Sequence, residues 1–292
     1  MGRITYYLML LPAIIYVIIF NYAPLYGLQI AFKDFKGSLG YRASSWVGLK
    51  HFISFFRSYY FAQLLRNTFA LSLYSMAVGF PIPIVLALML NELSARYKRI
   101  TQTVLYAPHF ISTVVMVGII MMMFSPGYGV VNTMLKALGR DPIYFMSLPG
   151  AFRHIYVWTG VWQDMGWSAV IYLAALSAVS PELHEAATID GASKLQRIWH
   201  INLPTIKPTV IILLILQMGQ IASVGYEKVY LLQNNYNVEV SEIISTYVYK
   251  RGILDSSYSF SAAVGLFNNV VNVTMLLIAN AISRKVSETS LF

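Results

Sequence analysis

Of the 292 residues only 11% are charged and 57% are hydrophobic, and the mean hydropathy is +0.60. A soluble domain carries roughly a quarter of its residues charged, so this composition excludes an ordinary water-soluble protein and makes lipid the solvent for most of the surface. The net charge of +9, from 21 Lys+Arg against 12 Asp+Glu, forms no basic block and so argues against nucleic acid, and the lack of cysteine excludes disulfides and thiolate chemistry.

A bilayer core takes about 20 apolar residues in a helix, and runs of that kind occur six times. The first, residues 4–32, is too long for a signal peptide and lacks a small-residue cleavage site, so it is expected to remain as a span. After it, 46–56 is an aromatic and basic stretch suited to the interface. The second span is expected at 67–91, followed by a short loop with Arg96, Lys98 and Arg99. The third is expected at 100–124, the fourth at 151–178 with Asp164 inside it, the fifth at 205–224 and the sixth at 260–283, before Arg284 and Lys285. Cations in short loops mark the cytoplasmic side. That rule puts both termini and 180–208 in the cytoplasm and 33–66, 125–153 and 225–258 outside. Prolines 12, 24, 81, 83, 108 and 208 fall within spans. Each removes a backbone hydrogen bond, which fits kinked helices around a cavity, although proline is common in membrane helices in general. No repeat or linker interrupts the pattern, so the chain reads as one all-α integral membrane domain over 1–292.

Polar groups at membrane depth are costly and usually face a cavity or a partner. Asp164 lies in WTGVWQDMGW with Trp162, Gln163 and Trp167 beside it. Rings that stack on pyranose C–H faces, next to groups that bond hydroxyls, suit a sugar site, while an interfacial aromatic belt with a wetted Asp164 uses the same residues. Gln217, Gln220 and Glu227 share one face of a continuous fifth helix, and Asn268, Asn269 and Asn272 lie on the sixth. They serve either a transport pathway or interhelical hydrogen bonds. His109, beside Pro108, reads as a packing residue and not a proton relay. Enzyme motifs are missing: His184-Glu185-Ala186-Ala187-Thr188 lacks the second histidine of a zinc protease, so no metal is expected, and no glycine precedes a lysine as a Walker A loop requires.

The stretch 180–208 is predicted to be structured. Ser180 is a good N-cap, Pro181 suits the first helical position, Glu182 and Glu185 favour the positive end of the helix, and Gly191 permits an elbow. Ser193 can cap a second short helix bearing Leu195, Ile198 and Ile201 on one face, before Pro204 and Pro208 lead into the fifth span. Such a hairpin is either a docking knob for another protein or a helix lying on the membrane surface. The residue pattern distinguishes them. Glu185, Ala186, Ala187, Asp190, Gly191, Ala192, Ile201, Leu203 and Pro204 match in order the EAA loop of ABC importer permeases, with Ile198 where that loop usually has an aromatic residue.

The resemblance extends along nearly the whole chain. LLPAIIYVIIFNYAPLYGLQIAF, WVGLKHF, Asn67-Thr68 and LYAPHFIS resemble carbohydrate importer permeases of the maltose-transporter type. YEKVYLLQN, the string Tyr247 to Gly252 and the ending Ser290-Leu291-Phe292 are similar to the polysaccharide and oligosaccharide permeases among them. Those relatives usually carry a basic extension before the first helix, and its absence before Gly2-Arg3 suggests a trimmed start. The resemblance implies a type I permease of six spans in the bacterial inner membrane. Implied partners are a second, homologous permease, two ATPase subunits that bind ATP and Mg²⁺, and an extracytoplasmic sugar-binding protein. The EAA loop would be the coupling helix on the ATPase, and the chain itself would catalyse nothing. The alternative class is a self-contained secondary transporter, which needs no docking knob. Outside, 12 Lys+Arg face six Asp+Glu, which favours an acidic, uronate-type oligosaccharide. Docking of an acidic binding protein and pairing with lipid phosphates account for the same charge, and a neutral oligosaccharide is the alternative substrate.

Overall fold

The structure, a computed structural model, describes residues 3–286 and 289–291; Phe292 of the carboxy-terminal ending and Gly2 of the amino-terminal expectation lie outside the described residues. In chain order the main helices are α1 (Arg3–Val17), α2 (Lys50–Phe56), α3 (Phe61–Gly79), α4 (Pro81–Asn91), α5 (Ala95–Tyr106), α6 (Thr113–Met123) and α7 (Val130–Ala137). They continue as α8 (Pro149–Leu176), α9 (Pro181–Ile189), α10 (Leu203–Met218), α11 (Tyr226–Leu232) and α12 (Tyr258–Val286). The only strands among the described residues are a two-residue antiparallel pair, Lys33–Asp34 with Ser45–Trp46.

Four helices among the described residues are long and apolar enough to cross a membrane: Tyr6–Phe32, Phe61–Asn91, Lys194–Met218 and Tyr258–Val286. A fifth crossing arises if Ala95–Phe110 and Thr113–Met123, bent by 97°, count as one. At 28 residues α8 also has the length, about 1.5 Å per residue. Its polar centre, Gln163-Asp164, keeps its composition short of the other spans.

The chain groups into two compact units. One comprises 1–62 and 247–270. Here α1 runs through a π turn at Ile18–Tyr22 into a 3₁₀ segment, Ala23–Phe32, with Pro24 in its first turn. Phe55 of α2 is fully buried, with the rings of Phe61, Phe260 and Phe267 set edge-on around it. Such edge-to-face contacts add to the gain from burial alone.

The other unit comprises 63–246 and 271–292 and holds two apolar cores. Leu71, Met116, Ile120, Phe152, Leu232 and Ile243 form one; Ala87, Leu90, Ala169, Tyr172, Leu176 and Ile206 form the other, where α4 and α8 pack side by side. Buried polar side chains fasten the segments between helices. Asn67 donates to the carbonyls of Glu239 (2.8 Å) and Glu242 (3.0 Å) and accepts from Arg153 (3.0 Å). Asn132 accepts from the Ile143 N–H (2.7 Å) and donates to three backbone carbonyls. Each such bond satisfies a group that would otherwise be buried without a partner.

Three spans differ from the sequence expectation. The second begins at Phe61, six residues early, and is interrupted at Phe80 ahead of Pro81 and Pro83. The third is broken: Pro108 removes a donor, Ile111 is extended, and the Ser112 hydroxyl caps α6 by accepting from the Val115 N–H (3.4 Å). The fifth is displaced towards the N-terminus. It starts in the hairpin at Lys194 and ends at Met218, so residues 219–224 are not helical and Gln217, Gln220 and Glu227 do not share one helical face. The second helix of the hairpin is therefore continuous with this span. Leu203 N–H bonds Ile198 C=O in a π turn directly before Pro204, which has no N–H to give.

Candidate functional site

A cavity of about 550 Å³ opens within the second unit, at the level where α5 and α6 meet in their sharp bend. His109, Tyr156, Gln163, Asp164, Gln217 and Lys228 contribute its polar lining. The broken third span is what makes this possible. Gln163 Nε2 donates to the Ile111 carbonyl exposed at the break (2.9 Å). His109, on the turn just before it, places Nδ1 2.9 Å from Asp164 Oδ1. The imidazole lies flat against Trp167, with ring centroids 4.8 Å apart and planes within 3°. Further along the same face of α8, Lys228 Nζ donates to the Tyr156 carbonyl (3.1 Å) and stands 5.0 Å from the Tyr156 ring centroid. Gly160 leaves room for it, since a Cβ there would come within 3.3 Å of Nζ. Burial of Lys228 on α11 pushes its ammonium down to about 8, while the Asp164 charge pulls the other way. The cavity thus offers a hydrogen-bond-donating cation, a carboxylate acceptor and two amides, a set that recognises hydroxyls and anionic oxygens.

Three of the sequence candidates line this cavity: Gln163, Asp164 and Gln217. Gln220 lines a smaller adjoining space of about 220 Å³ together with Gln217. Trp167 takes part through its stack on His109, while Trp162 is exposed and is not in the lining. Asn268 is buried and Asn269 exposed, and neither lines these cavities. Asn272 has a holding role: its Oδ1 accepts from the Ala222 N–H (2.8 Å) and its Nδ2 donates to Ser223 (2.7 Å), closing the end of the fifth span. Sequence pattern does not mark Lys228 or Tyr156 as cavity residues and gives His109 a packing role, whereas all three line the cavity. The available signal was the lysine within YEKVYLLQN and the bend implied by Pro108 followed by Ser112.

The 180–208 stretch forms the helical hairpin. Ser180 Oγ accepts from Glu182 N–H (3.3 Å), Pro181 opens α9, and Gly191 adopts φ +78° at the elbow. Ser193 and Gln196 make a reciprocal capping box, and Arg197 donates to the Thr188 hydroxyl across the elbow (2.9 Å). Glu185, Ala186, Asp190, Gly191 and Pro204 are exposed, whereas Ala187, Ala192, Ile198 and Leu203 are half-buried. Ile189 (86% exposed), Leu195 (73%) and Trp199 (65%) present large apolar surface around the elbow.

Residues 79–288 match the family described as the binding-protein-dependent transport system inner membrane component, and the chain belongs to that family. It is a non-catalytic, multi-pass permease component of an ABC transporter. It is 43% identical over 287 residues, 98% of this chain and 89% of the relative, to the polygalacturonan/rhamnogalacturonan transport system permease protein YteP of Bacillus subtilis (strain 168). It is 30% identical to the arabinooligosaccharides transport system permease protein AraP of the same organism, over 83% of this chain and 76% of the relative. Among solved structures it is similar to a chain of a bacterial alginate ABC transporter in complex with an alginate pentasaccharide-bound periplasmic protein, at TM-score 0.89 and 41% identity, covering 98% of this chain and 96% of that one. The sequence also resembles, among individual proteins, the first permease subunit of the alginate importer. Membership of the family removes the alternative of a self-contained secondary transporter.

Proposed function

We propose that the chain is the membrane-spanning subunit of an importer for oligosaccharides, and for acidic, uronate-type ones in particular. The observation that carries the acidic reading is the Lys228 ammonium, set into the cavity that Asp164, Gln163 and Gln217 also line. A carboxylate on the sugar takes the ammonium, hydroxyls take Asp164 and the amides, and the flanking rings meet the C–H faces. Similarity to permeases for polygalacturonan/rhamnogalacturonan and alginate supports the same reading. The arabinooligosaccharide relative favours a second reading, in which the substrate is neutral and Lys228 only braces Tyr156.

In the arrangement we favour, α8 is the sixth crossing, both termini and the hairpin lie in the cytoplasm, and a homologous permease completes a heterodimer. Two ATPase subunits bind ATP and Mg²⁺ and grip the hairpin at Glu185, Ala186, Ala187, Asp190, Gly191 and Ala192, while an extracytoplasmic binding protein delivers the sugar. Closure of the ATPases draws the hairpins together. Because the second hairpin helix runs without interruption into the fifth span, that movement passes directly to α10, which carries Gln217 at the cavity. Such a change is a rigid-body, two-state motion. The test is uptake by vesicles holding the complete complex, with uronate and neutral oligomers of equal length each bound to a delivery protein. Uronate uptake that falls in Lys228→Gln while neutral uptake does not supports the acidic reading. Uptake of neutral oligomers alone removes it.

A further inference from the structure

The first unit holds a second cavity, of about 520 Å³, formed by its segments 34–51 and 247–260. Its charged lining is Asp34, Lys36, His51 and Arg251, and the rings of Tyr247 and Tyr258 flank them. The charge around it is strongly one-sided. Of the 12 Lys+Arg and six Asp+Glu in the three segments between spans that share this face, this unit holds seven of the cations (Lys33, Lys36, Arg42, Lys50, Arg57, Lys250, Arg251) but only Asp34 and Asp255 of the acids. Nearly the whole positive excess is therefore here.

The one carboxylate in the lining is already neutralised. Asp34 Oδ2 lies 2.7 Å from Lys50 Nζ and its Oδ1 3.0 Å from His51 Nε2, and the Lys50 hydrogen bond holds its carboxyl below the usual range. Lys36 is exposed and makes no ion pair among the described residues. Arg251 donates from Nη1 to Asp255 (3.1 Å), bonds the Tyr247 side chain and lies 5.6 Å over its ring, and with its side chain 46% exposed the remaining donors of its five-donor fork stay open to the cavity. An exposed pair of this kind is weak and yields readily to a better-placed carboxylate.

The wall opposite is held in an unusual backbone state. Ser256, with φ +55°, is the one residue other than glycine with positive φ among the described residues. Asp255 N–H bonds to the Lys250 carbonyl (2.9 Å) and Ser257 N–H to the Arg251 carbonyl (2.8 Å), folding the loop back on itself. Ser259 Oγ accepts from the Phe35 N–H (2.8 Å), which fixes that loop against the wall carrying Lys36. Backbone held in a costly conformation by surrounding bonds is found preferentially at ligand clamps.

We infer that this cavity is a separate binding site for a carboxylate-bearing saccharide, with Lys36 and Arg251 taking the carboxylate, the exposed ring of Tyr258 meeting a sugar face, and the buried Tyr247 ring backing Arg251. The inference rests on the acidic-oligosaccharide reading of the central cavity. A concave space with rings and hydroxyls beside its cations fits a sugar better than a flat protein surface or a lipid phosphate.

The test is acylation of Lys36 in the intact, detergent-purified transport complex, read by mass spectrometry, with a uronate trimer or a neutral trimer added. At saturating uronate trimer the acylation is expected to slow about tenfold, the neutral trimer is expected to have no effect, and R251Q is expected to abolish the protection while R251K keeps it. Equal protection by both trimers, or none by either, overturns the inference. Protection seen only with added phosphatidylglycerol reassigns the cavity to lipid, and protection seen only with a delivery protein present reassigns it to docking; both overturn it. Uronate uptake by vesicles of the same complex reports separately on the central cavity. Uptake without Lys36 protection removes this site and leaves the proposed function, and protection without uptake does the reverse.

Discussion

His109 and Asp164 meet at 2.9 Å across the break in the third span, and the imidazole that makes this contact is held flat against Trp167. Three elements of local chemistry converge there: Pro108 ends one helix, Ser112 caps the next, and the 97° turn between them directs His109 at α8. The contact fixes the direction of the Asp164 carboxylate within the cavity, so one carboxylate oxygen is taken and the other remains for a ligand.

Asp164→Ala removes both the acceptor and the hold on His109. Loss of one charge-assisted hydrogen bond to a sugar hydroxyl is worth roughly 1.5–3 kcal/mol, so uptake at low substrate is expected to fall at least about tenfold. Asp164→Asn keeps the shape and an acceptor and is expected to lose less. Membrane insertion and complex assembly, followed by size-exclusion chromatography, are expected to be normal in both. Unchanged uptake in Asp164→Ala would place the sugar elsewhere.

Because burial lowers Lys228 to about 8, its charge is largely present at pH 7 and lost by pH 9. Uptake of uronate oligomers is therefore expected to decline as the outside pH rises through that range, with neutral oligomers unaffected. Lys228→Gln is expected to show the high-pH behaviour at every pH, while Lys228→Arg keeps its charge and flattens the profile. A decline of equal size for both sugars would mean that some other group titrates.

Much of this was legible in the residues, and where it was not the reasons are local. Capping at Ser180 and Ser193 and the elbow at Gly191 follow from side-chain chemistry within a few positions, and the structure contains all three. Hydropathy places the spans but is blind to direction changes inside them. The run 100–124 holds no Asp, Glu, Lys or Arg on either side of its break, so hydropathy alone does not separate a straight helix from a bent one, and only Pro108 followed by Ser112 marks the bend. The end of the fifth span at Met218 depends on Asn272, a residue distant in sequence that supplies the acceptor for the Ala222 N–H. Lys228 is not legible as a cavity residue in the sequence because its cavity partners, Tyr156 and Asp164, lie on a helix more than sixty positions away.

Gly166 on α8 crosses so close to α5 that a Cβ there would collide with the Leu105 carbonyl. Backbone cannot yield as a flexible side chain can, so Gly166→Ala is expected to push the two helices apart and destabilise the complex by about 1–3 kcal/mol. The melting temperature in detergent, measured beside Gly265→Ala, where nothing stands within 4 Å, checks this. Equal behaviour of the two variants would show that the contact relaxes freely.

The coupling role of the hairpin is best tested where shape and surface can be changed separately. Gly191→Val forces a β-branched residue into φ +78°, a conformation costing L residues roughly 1–2 kcal/mol, and so distorts the elbow itself. Ile189→Asp leaves the backbone alone, because that side chain is 86% exposed, and alters only the apolar surface presented to a partner. If an ATPase grips the elbow, both variants are expected to insert normally and to lose ATPase in copurification. Glu185→Lys, on the exposed face of α9, is expected to weaken the same association without unfolding the hairpin, since it reverses the charge of a side chain beyond the first turn, where the helix dipole has little hold. Association retained in Gly191→Val but lost in Ile189→Asp would mean that the surface matters more than the elbow geometry. Association retained in all three, with sugar-stimulated ATP hydrolysis intact, would place the coupling contact elsewhere on the cytoplasmic face.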